Sequence, residues 1–117
     1  MADRMLEMTL LYDFYGDLLT GRQRELFDLY YNEDLSLAEI AQQYGISRQG
    51  VRANLVLAEN TLRQLEEKTG LVAGYERRQT CAERGREVIR ELRDRCAGEK
   101  EQAALDELER ILDNMKG

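Results

Sequence analysis

An all-α fold is what this sequence predicts, and three observations predict it. No proline interrupts the chain, 34% of its residues are Asp, Glu, Lys or Arg, and apolar residues recur at three- and four-residue intervals along most of its length. With 117 residues the chain can bury one compact core with a helical extension, but not two independent cores.

In the first segment Leu6, Leu10, Leu11, Phe14 and Leu18 recur at helical spacing, so a first helix is expected over about residues 3 to 18 with that stripe buried. Thr20 opens a Thr-x-x-Gln capping box with Gln23, and Leu26, Phe27, Leu29 and Tyr30 supply the buried side of a second helix over 21 to 31. Ser36 and Glu39 repeat the box before Ile40 and Ala41, giving a short third helix over 37 to 43. Gly45 can close it in the left-handed conformation, Ile46 can turn inward, and Ser47 can cap a fourth helix starting near Arg48. There Val51, Leu55, Ala58, Leu62 and Leu65 form a seam long enough to need cover beyond a minimal helix-turn-helix. Gly70 followed by Leu71 reads as its stop, with the leucine folding back.

Beyond residue 75 the composition turns heavily charged, and Val88, Ile89, Leu92 and Cys96 form a narrow stripe. After Gly98 comes a last amphipathic segment with Leu105, Leu108, Ile111, Leu112 and Met115. The expected organisation is a three/four-helix core domain over 1–72 and a C-terminal helical hairpin over 73–117.

Several function classes are excluded by composition. The chain has no His, which removes the commonest general base and, without a Cys-x-x-Cys, leaves no zinc set; no enzyme activity, metal or cofactor is expected. Cys81 and Cys96 would lie ~22 Å apart on one helix, too far to pair. No stretch is apolar enough to span a membrane, and acids interrupt the N-terminal segment where a signal core would lie, so a cytoplasmic protein is expected. The net charge of −6 means that any nucleic-acid surface must be a local basic patch on an acidic body.

Such a patch is present. LAEIAQQYGISRQGVRANL has a small Ala41 where two helices cross, Gly45 in the turn, Ile46 after it, and Val51 and Leu55 as anchors: the layout of a helix-turn-helix. Arg48, Gln49 and Arg52 then project from the first turns of the second helix, with Asn54 further round, and no acid lies between Ser47 and Ala58. Arg can bond guanine bidentately and Gln can do the same to adenine. Arg22 and Arg24 could touch phosphate from the flank, or be ordinary solvated charges.

The segments TLLYDFYGDLLTGRQRELFDLYY, DLSLAEIAQQYGISRQGVRANL and EEKTGL resemble the YlxM family of helix-turn-helix proteins, related to region four of bacterial sigma factors. The resemblance covers about residues 5 to 72, the tail matching only in being helical. It implies a cytoplasmic bacterial protein of the signal recognition particle pathway, with that particle's GTPase or its RNA as partner; DNA is the other nucleic acid that the helix-turn-helix admits. The chain departs from the family at Val56 and Leu57, where Lys or Arg is usual, at Arg52 in place of an aromatic, and at Ala53 in place of an acid.

Other features read more plainly as structure. Tyr30, Tyr31 and Tyr44 could stack on bases but suit a core better, and Met1, Met5 and Met8 suit gap-filling there. The arginines from Arg77 to Arg95 alternate with acids, as on an exposed ion-paired helix. Two functions remain: a nucleic-acid-binding regulatory protein, or a protein-interaction module keeping the helix-turn-helix shape with little nucleic-acid affinity. A homodimer is expected, because the seam and the tail stripes both need further cover.

Overall fold

A computed structural model describes residues 2–115, with side chains for residues 4–115. Its elements are α1 (Ala2–Tyr15), a 3-10 turn (Gly16–Leu18), α2 (Gly21–Phe27), a π-helical turn (Asp28–Asn32), α3 (Leu37–Tyr44), α4 (Arg48–Thr69), α5 (Leu71–Arg95) and α6 (Glu99–Met115). The chain divides into two compact units, Met1–Val72 and Ala73–Gly117.

In the first unit α4 is the common wall of two apolar clusters. Its Val51 and Leu55 pack with Leu26, Ile40 and Ala41, while its Ala58 and Leu62 pack with Met8, Leu11, Tyr15, Leu19, Phe27, Tyr31 and Val72. Leu65 is half-buried against the second cluster. The seam expected to outlast its cover is therefore covered within the chain.

The buried face of α1 is not the stripe its leucines suggest. Met8, Leu11 and Tyr15 turn inward, whereas Leu6 is 71% and Leu18 66% exposed. Tyr15 can take the inner position because its hydroxyl hydrogen-bonds Glu66 and Thr69 of α4, each at 2.6 Å, so burying the ring strands no polar atom. Of the three N-terminal methionines, Met8 is fully buried and Met5 39% exposed; Met1 lies outside the described residues.

The second helix does not stay α-helical to residue 31. It widens at Asp28–Asn32 into a π turn closed by Glu33 N–H donating to the Asp28 carbonyl, and the extra residue carries Tyr31 inward to stack on Phe27 at 4.4 Å. At the far end of α4, Gly70 adopts φ 63 and ends the helix. The chain then re-enters a helix at Leu71 rather than after residue 75. The first amides of α5 find acceptors at once, Leu71 N–H on Tyr15 Oη at 3.3 Å and Val72 N–H on Glu66 Oε1 at 2.9 Å, so no loop is needed. Leu71 stays 52% exposed and Val72 is the residue that is buried.

The second unit is a pair of helices with two unlike sides. Arg86 pairs with Asp113, and Arg93 with Asp106 at 2.8 Å and Glu109 at 2.9 Å. Ala82, Ile89 and Leu105 are buried. The helices approach tightly at Gly85, where an added Cβ would lie 2.9 Å from Leu112 Cδ1. At about 100° per residue the ion-paired residues share one side of the hairpin. Val88, Leu92, Leu108, Ile111 and Met115, each 37–49% exposed, share the other. Cys81 is exposed and Cys96 half-buried, both as free thiols. Among the described residues no helix is long and apolar enough to cross a membrane.

Candidate nucleic-acid interface

The start of α4 is held by short-range interactions. Ser36 Oγ accepts from Glu39 N–H while Glu39 Oε1 accepts from Ser36 N–H, at 3.1 and 3.0 Å, and this bonding holds the Glu39 carboxyl below the usual carboxylate range. Gly45 ends α3 at φ 66, a conformation that a side chain would strain. Ile46 N–H then returns to the Ala41 carbonyl at 3.1 Å, and Ser47 Oγ caps α4 by accepting from Gly50 N–H at 2.9 Å.

With Val51 and Leu55 buried, the opposite side of the first three turns of α4 faces outward. Gln49, Arg52, Ala53 and Val56 follow one another at i, i+3, i+4 and i+7, hence on one face, and all four are exposed. They line a shallow groove together with Leu57, which is 57% exposed against 41% for Val56. Arg48 is exposed at the edge of this face. Neither the Arg48 nor the Arg52 side chain has an ion pair or hydrogen bond among the described residues, so both cations are available to an anion.

The other three predicted residues stand apart. Asn54 is half-buried and donates its amide to the Gly50 carbonyl of its own helix at 2.9 Å. Arg22 lies over the Tyr44 ring, 4.9 Å from its centroid, and that tyrosine donates to Glu25 Oε2 at 2.9 Å, which pushes its pKa up. Arg24 pairs with Asp17 at 3.3 Å, and its pKa is raised by the Tyr12 hydroxyl beside it. Arg22 and Arg24 thus have partners within the chain.

Sequence reading missed a cleft of about 220 Å³ beside Arg52 and Val56, lined also by Arg4, Tyr31 and Glu59. Glu59 is 6% exposed, with Arg4 on one carboxylate oxygen and Tyr31 on the other. A signal was available, since Glu59 follows Ala58 of the seam directly. Its partners, far off in sequence, carried none.

The family model for UPF0122, described as "Putative helix-turn-helix protein, YlxM / p13 like", matches residues 2–109. A UPF0122 protein of Thermoanaerobacter sp. (strain X514) is 50% identical over 94 residues, which is 78% of this chain and 80% of that protein. One from Geobacillus kaustophilus is 48% identical over 89 residues, 76% of this chain and 81% of that protein. One from Halalkalibacterium halodurans is 39% identical over 115 residues, 98% of this chain and 96% of that protein. The likeness therefore extends well into the tail, beyond the residue 72 at which sequence reading ended it. The chain belongs to the UPF0122 family of YlxM / p13-like helix-turn-helix proteins.

Proposed function

We propose that this protein is a non-enzymatic, nucleic-acid-binding regulatory or accessory protein that engages its target with the N-terminal turns of α4. The observation that carries this reading is the pair of unpartnered cations, Arg48 and Arg52, flanking Gln49 on an exposed face with no acid in the first eleven residues of the helix. On a chain of net charge −6 that is a small positive patch, so one copy can neutralise only a few phosphates. Two copies would double it, and the apolar side of the α5–α6 hairpin offers a surface for pairing them.

The family resemblance extends the reading to the signal recognition particle pathway in the cytoplasm. Its RNA or a DNA duplex would meet α4, and its GTPase would meet another surface. Binding measured across a salt series to that RNA, to duplex DNA and to the GTPase tests this. Nucleic-acid affinity that falls with salt at a shallow slope supports the proposal; a complex with protein alone, at any salt, supports a protein-interaction module instead. The exposed apolar Val56 on that face and Leu57 beside it are what favour that second reading.

A further inference from the structure

The geometry points to duplex DNA carrying thymine methyl groups, rather than RNA, as the nucleic acid that α4 reads; this inference rests on the proposed nucleic-acid-binding function. The outward face is half polar and half apolar: Gln49 and Arg52 are followed by Ala53 and Val56 along the same side of the helix. Gln and Arg match the hydrogen-bonding edges of adenine and guanine in a major groove. Ala53 and Val56 have nothing to offer such edges or a phosphate. The one apolar group displayed in the major groove is the C5-methyl of thymine. An adenine–thymine pair shows both halves of this code, the adenine N6 and N7 for Gln49 and the methyl for an adjacent apolar side chain.

RNA fits the face poorly for two reasons. The major groove of an A-form duplex is too deep and narrow for side chains of a helix to read, and uracil has no methyl. Single-stranded RNA is read largely by stacking on aromatic side chains, and α4 contains no aromatic residue between Arg48 and Thr69. Tyr44, in the helix before it, is already covered by the Arg22 guanidinium.

The test uses the full-length protein at low salt. A random duplex DNA library is selected for binding, and the enriched duplex is then remade with deoxyuridine replacing each thymine in turn, and as RNA of the same sequence. The enriched sites are expected to contain thymines whose replacement by deoxyuridine weakens binding about fourfold each, the worth of one buried methyl. The Val56→Ser protein, altered at an exposed position, should fold normally and lose discrimination at one of them. Duplex binding with no enriched sequence, equal affinity for thymine and deoxyuridine at every position, or tighter binding to the RNA would overturn this inference while leaving the nucleic-acid reading in place. No binding to any nucleic acid at low salt would overturn both.

Discussion

The hydroxyl of Tyr31 donates to Glu59 Oε2 at 2.9 Å, and Arg4 donates to the other oxygen of that carboxylate. Glu59 is the one buried charged side chain among the described residues. Tyr31→Phe removes a donor from that buried anion and is expected to lower unfolding free energy by about 2 kcal/mol, read as a lower urea midpoint at pH 7. Arg4→Met should cost less, because Arg4 is 59% exposed and water can replace much of its contribution.

The same pair sets an alkaline limit. Burial and the bond to Glu59 push the Tyr31 pKa from 10.0 up to about 12. A folded-state pKa raised in this way favours the folded protein at full strength below pH 10, and that contribution is lost as pH rises from about 10 to 12. Urea midpoints should fall over this window in the parent and fall less in Tyr31→Phe. Some loss should remain, since Tyr12 and Tyr44 are shifted in the same direction. Equal slopes in the two proteins would refute the assignment.

Ala41 is 7% exposed within the cluster of Leu26, Ile40, Val51 and Leu55. Ala41→Leu is expected to overpack the contact between α3 and α4 and to destabilise the protein by about 1–3 kcal/mol. Thermal unfolding measures it, and an unchanged melting curve would show that the helices do not cross there.

Arg52→Ala and Arg48→Ala should each weaken nucleic-acid binding while leaving the melting temperature almost unchanged, because both side chains are exposed and unpaired. A loss of at least about fivefold is expected for a side chain that bonds a base bidentately. Asn54→Ala should change affinity less, since that amide is engaged with the Gly50 carbonyl. Fluorescence anisotropy with a labelled duplex ranks the three, and equal effects would displace the reading face.

If the hairpin pairs two copies, Leu108→Glu with Ile111→Glu should yield a monomer in sedimentation equilibrium at tens of micromolar where the parent is a dimer. Leu18→Glu, on a more exposed leucine of the first unit, should leave the dimer intact. A parent chain that sediments as a monomer refutes the pairing outright.

The parts legible in the sequence were those fixed by neighbours a few residues apart. Thr20 with Gln23, Ser36 with Glu39, Gly45, Ser47 and Gly70 announced helix ends, and the seam from Val51 to Leu65 announced the wall they pack against. What stayed hidden depended on distant partners. Leucine spacing alone turned α1 toward Leu6 and Leu18, because nothing in residues 3 to 18 reveals that Glu66 and Thr69 will satisfy the Tyr15 hydroxyl. The start of α5 was missed for the same reason, its first amides being taken up by Tyr15 and Glu66. At the proposed reading face, exposure and register followed from helical spacing. That Arg22 and Arg24 are engaged by Tyr44 and Asp17 did not, and the bond of Asn54 to Gly50, though local, is one that spacing alone does not announce.

The three serine and threonine caps, with bonds of 2.9–3.2 Å spanning three residues each, have a kinetic consequence. Each closes a helical turn without help from any remote part of the chain, so it offsets the cost of nucleation where α2, α3 and α4 begin. Those starts should already flicker into helix in the unfolded ensemble. The later search is then mainly the docking of preformed segments, a low-contact-order process that puts folding on the microsecond-to-millisecond scale. If α4 is the recognition helix proposed above, its capped first turn is already ordered before a target arrives, so binding carries no separate ordering cost there.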